Sequence, residues 1–230
     1  MSVPLLAARD VHKSYGRGPT RFDALRGVSI EIHDGDTVAV VGKSGSGKST
    51  LMHLLALLDE PSAGTVELTG RNAAALSGPA LNRARNATFG FVFQQFFLTP
   101  NMSVLDNVTL PLRIAGVHGA ERRRRGLEAL ERLELADKAR NKATDLSGGQ
   151  KQRVVIARAL VNNPRVIFAD EPTGNLDSAT GKTVEDILFE LNRAHGITLI
   201  VVTHDEDLAA RCDRRLDLRD GAVIAREVAA

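Results

Sequence analysis

Short apolar runs rich in β-branched residues recur along the chain between turn signals, at Thr37–Val41, Phe89–Phe93, 166–169 and 197–202. Continuous runs of this length predict strands buried on both faces of a mostly parallel sheet, since each face must meet a covering layer. Helical periodicity lies between them. It is clearest over 178–194, where Val184, Ile187, Leu188 and Leu191 fall at i, i+3, i+4 and i+7 on one face. Strands alternating with helices predict an α/β core.

Two stretches depart from that alternation. Residues 5–11 and 28–32 read as strands of an antiparallel sheet that 65–68 joins. At the far end, 214–218 and 222–227 flank Arg219-Asp220-Gly221, which predicts a hairpin with an Asp-Gly turn. From about 94 to 162 the pattern is mostly helical, with a loop-like opening at Thr99-Pro100-Asn101. The predicted organisation is one domain over 1–230, with a core from 1–93 and 163–230 and a helical subdomain at about 94–162. No internal repeat or low-complexity tract interrupts it.

Composition narrows the function classes. The 230 residues are 43% hydrophobic and 25% charged, which is ordinary globular composition and excludes a disordered chain. Thirty basic residues against 28 acidic ones leave a formal charge of +2, so no global field draws in a nucleic acid or an anionic bilayer. The run Arg122 to Arg125 spreads around most of a helical turn and makes no single patch; a solvated helix end is expected. Cys212, the single cysteine, has no internal disulfide partner, fits a reducing compartment and reads as a small buried hydrophobe. No apolar run approaches the roughly 18 residues of a spanning helix, and the opening residues lack the layout of a secretory signal. A soluble chain is expected, with any membrane role exercised through a partner.

Candidate chemistry begins at Gly42-Lys43-Ser44-Gly45-Ser46-Gly47-Lys48-Ser49, which has the spacing GxxxxGKS between a predicted strand and the helix-forming Thr50-Leu51-Met52. Glycines there let successive N–H groups turn inward around a β-phosphate, and the helix N-terminus adds partial positive charge. In such a loop Lys48 bridges the β- and γ-phosphates, Ser49 places its hydroxyl on Mg²⁺, and Thr50 lies near the α-phosphate. The loop by itself indicates a nucleoside triphosphate, not a particular machine.

A second strand runs into Asp170-Glu171-Pro172, two acids at the carboxyl end where open α/β sheets bind ligands. Their alternating directions suit Asp170 to Mg²⁺ through water and Glu171 to polarising an attacking water. Alone, such a pair before proline is more often a cap or a solvated turn; the phosphate loop in the same chain tips the reading to catalysis. The strand at 197–202 leads into Thr203-His204-Asp205, which places His204 where it can hydrogen-bond a γ-phosphate and the attacking water. His12, His33, His53, His118 and His195 read as structural or solvated.

Leu146-Ser147-Gly148-Gly149-Gln150 precedes a helix rich in Val154, Val155, Ile156, Ala159 and Leu160, and forms a second helix N-terminus ready for an anion. Together with the phosphate loop it resembles the signature of ABC (ATP-binding cassette) ATPases, and the resemblance extends over nearly the whole chain. It implies a P-loop NTPase core with a mostly parallel sheet, an N-terminal antiparallel β subdomain and an inserted helical subdomain. It implies ATP and Mg²⁺ as ligands, with Ser147, Gly148, Gly149 and Gln150 of one copy closing on the γ-phosphate held by a second copy. Tyr15 matches the aromatic that stacks on adenine, Gln94 the glutamine that touches Mg²⁺ and reports to the membrane partner, Asp177 the aspartate that speaks across the dimer, and His204 the switch histidine.

Residues 170–177 and Leu160-Val161-Asn162-Asn163-Pro164 look like the MacB/LolD branch, which includes FtsE. That branch implies a separate permease with an FtsX/MacB-like domain, action from the cytoplasmic face of the membrane, and no nucleic acid. Phe96, Phe97 and Leu98 are candidates for the permease contact, with core packing nearly as good an account of them. Lys151 departs from the glutamine or arginine more usual there, a change of surface charge. A soluble ABC ATPase of an assembly or cell-division complex, FtsE-like or of the iron–sulfur scaffold type, is the alternative; the detailed match at 171–177 disfavours the scaffold type.

Overall fold

The computed structural model describes residues 3–228. In chain order the elements are β1 (Leu6–Tyr15), β2 (Phe22–Ile32), β3 (Thr37–Val41), α1 (Lys48–Leu55), β4 (Ala63–Leu68), β5 (Arg71–Asn72), α2 (Gly78–Thr88), β6 (Phe89–Phe93), α3 (Val104–Val108), α4 (Leu110–Ile114), α5 (Gly119–Arg132), α6 (Gly148–Leu160), β7 (Val166–Asp170), α7 (Ser178–His195), β8 (Thr198–Thr203), α8 (Glu206–Ala210), β9 (Arg214–Arg219) and β10 (Ala222–Val228). They divide into two compact units, one running to Arg85 and resuming at Thr198, the other Asn86–Ile197.

The first unit contains two kinds of pairing. β1 pairs antiparallel with both β2 and β4, and β5 adds to β4, which gives the order β2-β1-β4-β5. β3 pairs parallel with β8 on one side and β9 on the other, while β9 and β10 form an antiparallel hairpin. At its turn Asp220 and Gly221 both have positive φ, 49° and 79°, as the tight two-residue turn with an Asp-Gly sequence requires. All five residues of β3 and all six of β8 are buried, which accounts for their unbroken apolar reading. α1 adds Leu51, Met52, Leu54 and Leu55 to this core.

In the second unit β6 and β7 pair in parallel, Phe93 opposite Asp170. Phe168 stacks on Phe91 at 5.7 Å and meets Phe89 edge-on at 5.3 Å. Helix α6 packs on β6 so closely that a Cβ at Gly90 would lie 2.6 Å from the Ala159 carbonyl oxygen. Its buried face carries Gln152, Val154, Val155, Ile156 and Ala157. α7 starts on the Asp177 cap and stops at Gly196, whose φ of 64° is the left-handed conformation that ends helices.

β1 and β2 run further than the hydrophobic pattern predicts, to Tyr15 and from Phe22, because their pairing continues through the polar Lys13 and Ser14. α2 carries no fully buried residue, so no apolar stripe announces it. Among the described residues no helix is long and apolar enough to cross a membrane.

Candidate functional site

The phosphate loop joins β3 to α1 inside the first unit. Gly42, Gly45 and Gly47 all take positive φ, at 159°, 79° and 104°. A Cβ on Gly42 would lie 2.4 Å from the Leu218 carbonyl oxygen, and one on Gly47 2.6 Å from that of Ala24. Strand β2 and the β9–β10 hairpin therefore brace the loop, and Gly221 N–H donates to the Ser46 carbonyl at 3.0 Å. Lys48 Nζ donates to the carbonyls of Gly42 at 2.6 Å and Lys43 at 3.1 Å, so its ammonium is folded over the loop. Ser46 is buried and its Oγ has no protein partner. An orphaned buried hydroxyl in a cradle only glycine can line fits a loop shaped for an anion.

Lys43, Ser44, Gly45, Ser46 and His204 line one cleft of about 690 Å³ in this unit, with Glu206, Arg215 and Asp217 at its side. The two phosphate-directed motifs of this unit are thus brought to the same space. Ser49 is exposed and Thr50 half-buried at the first turn of α1. Tyr15, at the end of β1, leaves 41% of its surface exposed.

The second unit holds the acids. Asp170 closes β7 and Glu171 follows it, both half-buried, with the Glu171 backbone at φ 46°. A non-glycine residue held there costs on the order of 1–3 kcal/mol, a strain that clusters at functional positions. Gln94 follows β6, the parallel neighbour of β7, and faces the turn after the acids. Its Nε2 donates to Asn175 Oδ1 at 3.4 Å, Asn175 Nδ2 donates to its carbonyl at 2.8 Å, and a Cβ on Gly174 would lie 2.7 Å from that Nε2.

Ser147 caps α6 reciprocally. Its Oγ accepts from Gln150 N–H at 3.3 Å while Gln150 Oε1 accepts from Ser147 N–H at 3.0 Å. Ser147, Gly148, Gly149 and Gln150 share a cleft of about 580 Å³ with Asn175, Leu176 and Asp177. Hydrogen bonds from the Thr180 hydroxyl and N–H hold the Asp177 carboxyl below the usual carboxylate range.

The family model described as ABC transporter matches residues 25–174. The macrolide export ATP-binding/permease protein MacB of Chlorobium luteolum is 47% identical over 224 residues, which is 97% of this chain and 33% of that protein. The pyoverdine export ATP-binding/permease protein PvdT of Pseudomonas fluorescens is 48% identical over 225 residues, 97% of this chain and 34% of that protein. Among solved structures, the ATP-binding cassette MJ0796, a dimer in a post-hydrolysis state bound to ADP and Pi, superposes with a TM-score of 0.89 at 42% identity, covering 98% of this chain and 99% of that one.

The chain belongs to the ABC transporter family. It is an ATP-binding, ATP-hydrolysing ABC domain, and it spans about a third of the length of the curated relatives it matches. The folded ABC domain also contains supporting residues that no motif announces. Ala24 and Gly221 brace the phosphate loop, Asp59 accepts a hydrogen bond from the Tyr15 hydroxyl at 2.8 Å, and Arg158 holds the loop after Gln94. Arg158 donates to the carbonyls of Phe97 at 2.7 Å and Phe96 at 3.0 Å. Each acts through tertiary contact with a segment distant in sequence, which leaves no local signal.

Proposed function

We propose that this ABC domain works as one half of a dimer that closes on two ATP molecules and drives a membrane permease for export. The observation that carries the reading is the cleft at the start of α6. A chain that already has a phosphate loop has a second anion-ready helix start, open over about 580 Å³ and lined by Ser147, Gly148, Gly149, Gln150 and Asp177. The dimeric state of MJ0796, and the export role in the names of MacB and PvdT, support the same reading.

In this scheme Lys48 leaves the carbonyls of Gly42 and Lys43 for the β- and γ-phosphates, and the loop N–H groups hold the β-phosphate. Tyr15 stacks on adenine. Glu171 orients and polarises the attacking water, and His204 donates to the γ-phosphate and ties the strand end to its presence. Bound Mg²⁺ supplies charge neutralisation on the phosphate oxygens. The Ser49 hydroxyl, the Asp170 carboxylate and the Gln94 amide oxygen are the hard donors that suit it, acting partly through water.

Half of each site comes from the other copy, so closure and catalytic competence arrive together. The exposed Phe97, with Phe96 and Leu98 beside it, offers the permease an apolar contact next to Gln94. The domain then sits at the cytoplasmic face of the membrane, held through that permease. Single-turnover hydrolysis tests the assignment of the base. Glu171→Gln is expected to bind Mg-ATP normally and to lose turnover by about 10²-fold or more, the usual worth of a general base, while Lys48→Ala loses binding itself. A Glu171→Gln protein that keeps most of its rate removes Glu171 from the role.

A further inference from the structure

Tyr15 does not stand alone at the end of β1. Its hydroxyl donates to Asp59 Oδ2 at 2.8 Å. Lys13 Nζ donates to the other oxygen of the same carboxylate at 2.7 Å and to the Glu60 carbonyl at 2.7 Å. The same ammonium lies over the Tyr15 ring, 4.9 Å from its centroid, within cation–π range. Only 12% of the Lys13 side chain is exposed, so the charge is held rather than waving in solvent. Lys13 covers one face of the ring, while 41% of the tyrosine is exposed.

Asp59 in turn is fixed to the phosphate helix. Leu58 N–H and Asp59 N–H both donate to the His53 carbonyl in the last turn of α1, at 2.8 and 3.3 Å. Leu57 supports the turn in the left-handed region, at φ 56°. A second tie lies alongside: Ser62 N–H donates to the His12 carbonyl at 2.8 Å, and Ser14 N–H to Ser62 Oγ at 3.1 Å. The segment after α1 therefore joins the helix that begins at Lys48 to the strand that ends at Tyr15.

We propose that Asp59 and Lys13 are positioning residues for the nucleobase, setting the orientation of the Tyr15 ring and its distance from the phosphate loop. The chemistry recognised is a flat base on a triphosphate of fixed reach. Asp59 takes the register from the end of α1, and the Tyr15 hydroxyl reads it. Lys13 bonds the Asp59 carboxylate, blocks the back face of the ring and leaves one stacking geometry. The proposal rests on Tyr15 being the adenine platform, so its test separates failure of the platform from failure of the support.

Calorimetric affinities for Mg-ATP and for Mg-tripolyphosphate make that separation, because tripolyphosphate has the phosphates and no base. Tyr15→Ala should weaken ATP by about tenfold or more, the usual worth of a base–aromatic stack, and leave tripolyphosphate unchanged. Tyr15→Phe, Lys13→Met and Asp59→Ala should each weaken ATP by about three- to tenfold, an intermediate loss because the ring remains but its pose is freed, again without effect on tripolyphosphate. The chain has one tyrosine and no tryptophan, so its ultraviolet absorbance titration reads Tyr15 alone. Burial and then the Asp59 bond push that phenol up from the ordinary tyrosine value, and Asp59→Ala should bring it back down.

If Tyr15→Ala alone weakens ATP, and Lys13→Met and Asp59→Ala bind as the parent does, the support is refuted and the platform stands. If Tyr15→Ala has no effect, the platform fails and the proposal with it. Equal loss of ATP and tripolyphosphate in Asp59→Ala and Lys13→Met overturns it too, since the damage then lies in the phosphate helix. Should Asp59→Ala not fold, Lys13→Met and Tyr15→Phe carry the comparison.

Discussion

Cys212 lies just past α8, 5% exposed, in a backbone turn closed by its N–H on the Ala209 carbonyl at 3.1 Å. Burial, reinforced by the neighbouring Asp213 charge, pushes its thiol up to about 12. The thiolate is the reactive form, so at pH 8 the folded protein should label with a maleimide orders of magnitude more slowly than the unfolded chain. A stopped labelling time course with and without denaturant checks it, and rapid modification of the native protein refutes the buried placement. The sign for stability follows. The folded state keeps its proton after the unfolded thiol has lost it, so this group's contribution falls as pH rises above the ordinary thiol value towards about 12. At the same scale the phosphate loop was legible because its chemistry demands glycine at fixed spacing. The contact between Lys13 and Asp59 was not, since 46 residues separate them and only the folded first unit brings them together.

Elements read best where both faces are buried. β3 falls on the residues its apolar run predicts, because a strand buried on both sides has no polar alternation to blur its ends; β6 does so too, although Phe91 and Phe93 are only half-buried, because every position of it is apolar or glycine. α2 was invisible for the opposite reason: with no fully buried side chain, its apolar residues define no stripe. The close fit of α6 on β6 was also beyond the sequence, since Gly90 in an apolar run reads only as a weak strand position. Its reason is the Ala159 carbonyl, which a Cβ would approach to 2.6 Å. Gly90→Ala therefore forces the signature helix outward and should cost about 1–3 kcal/mol, as other overpacked cores do. Urea unfolding of the pair measures it, with the midpoint lowered and the slope unchanged. A substitution that leaves the midpoint in place would mean the helix has slack against the strand, and that the signature and the loop of Gln94 are not firmly joined.

At the scale of the whole molecule, the proposed mechanism distributes each ATP site over two copies of the chain, and a symmetric pair makes that distribution testable by mixing. Lys48→Ala disables the phosphate loop and leaves the signature cleft intact. Ser147→Glu does the reverse: it puts a carboxylate where the helix start would meet a γ-phosphate, and like charges there oppose closure. Each variant alone makes two defective sites per dimer and should be inactive. A mixed pair contains one site with both lesions and one with neither, since the intact loop of the Ser147→Glu chain faces the intact signature of the Lys48→Ala chain. Mixing two inactive proteins should therefore restore ATP hydrolysis in proportion to the mixed pairs formed, and activity should rise as the square of total protein where dimers are scarce. Recovery of that kind cannot come from a chain that hydrolyses ATP by itself. If mixing restores nothing while wild-type domains pair under the same conditions, the cleft of Ser147 and Asp177 does not complete the partner's site, and the second anion-ready helix start would need another occupant.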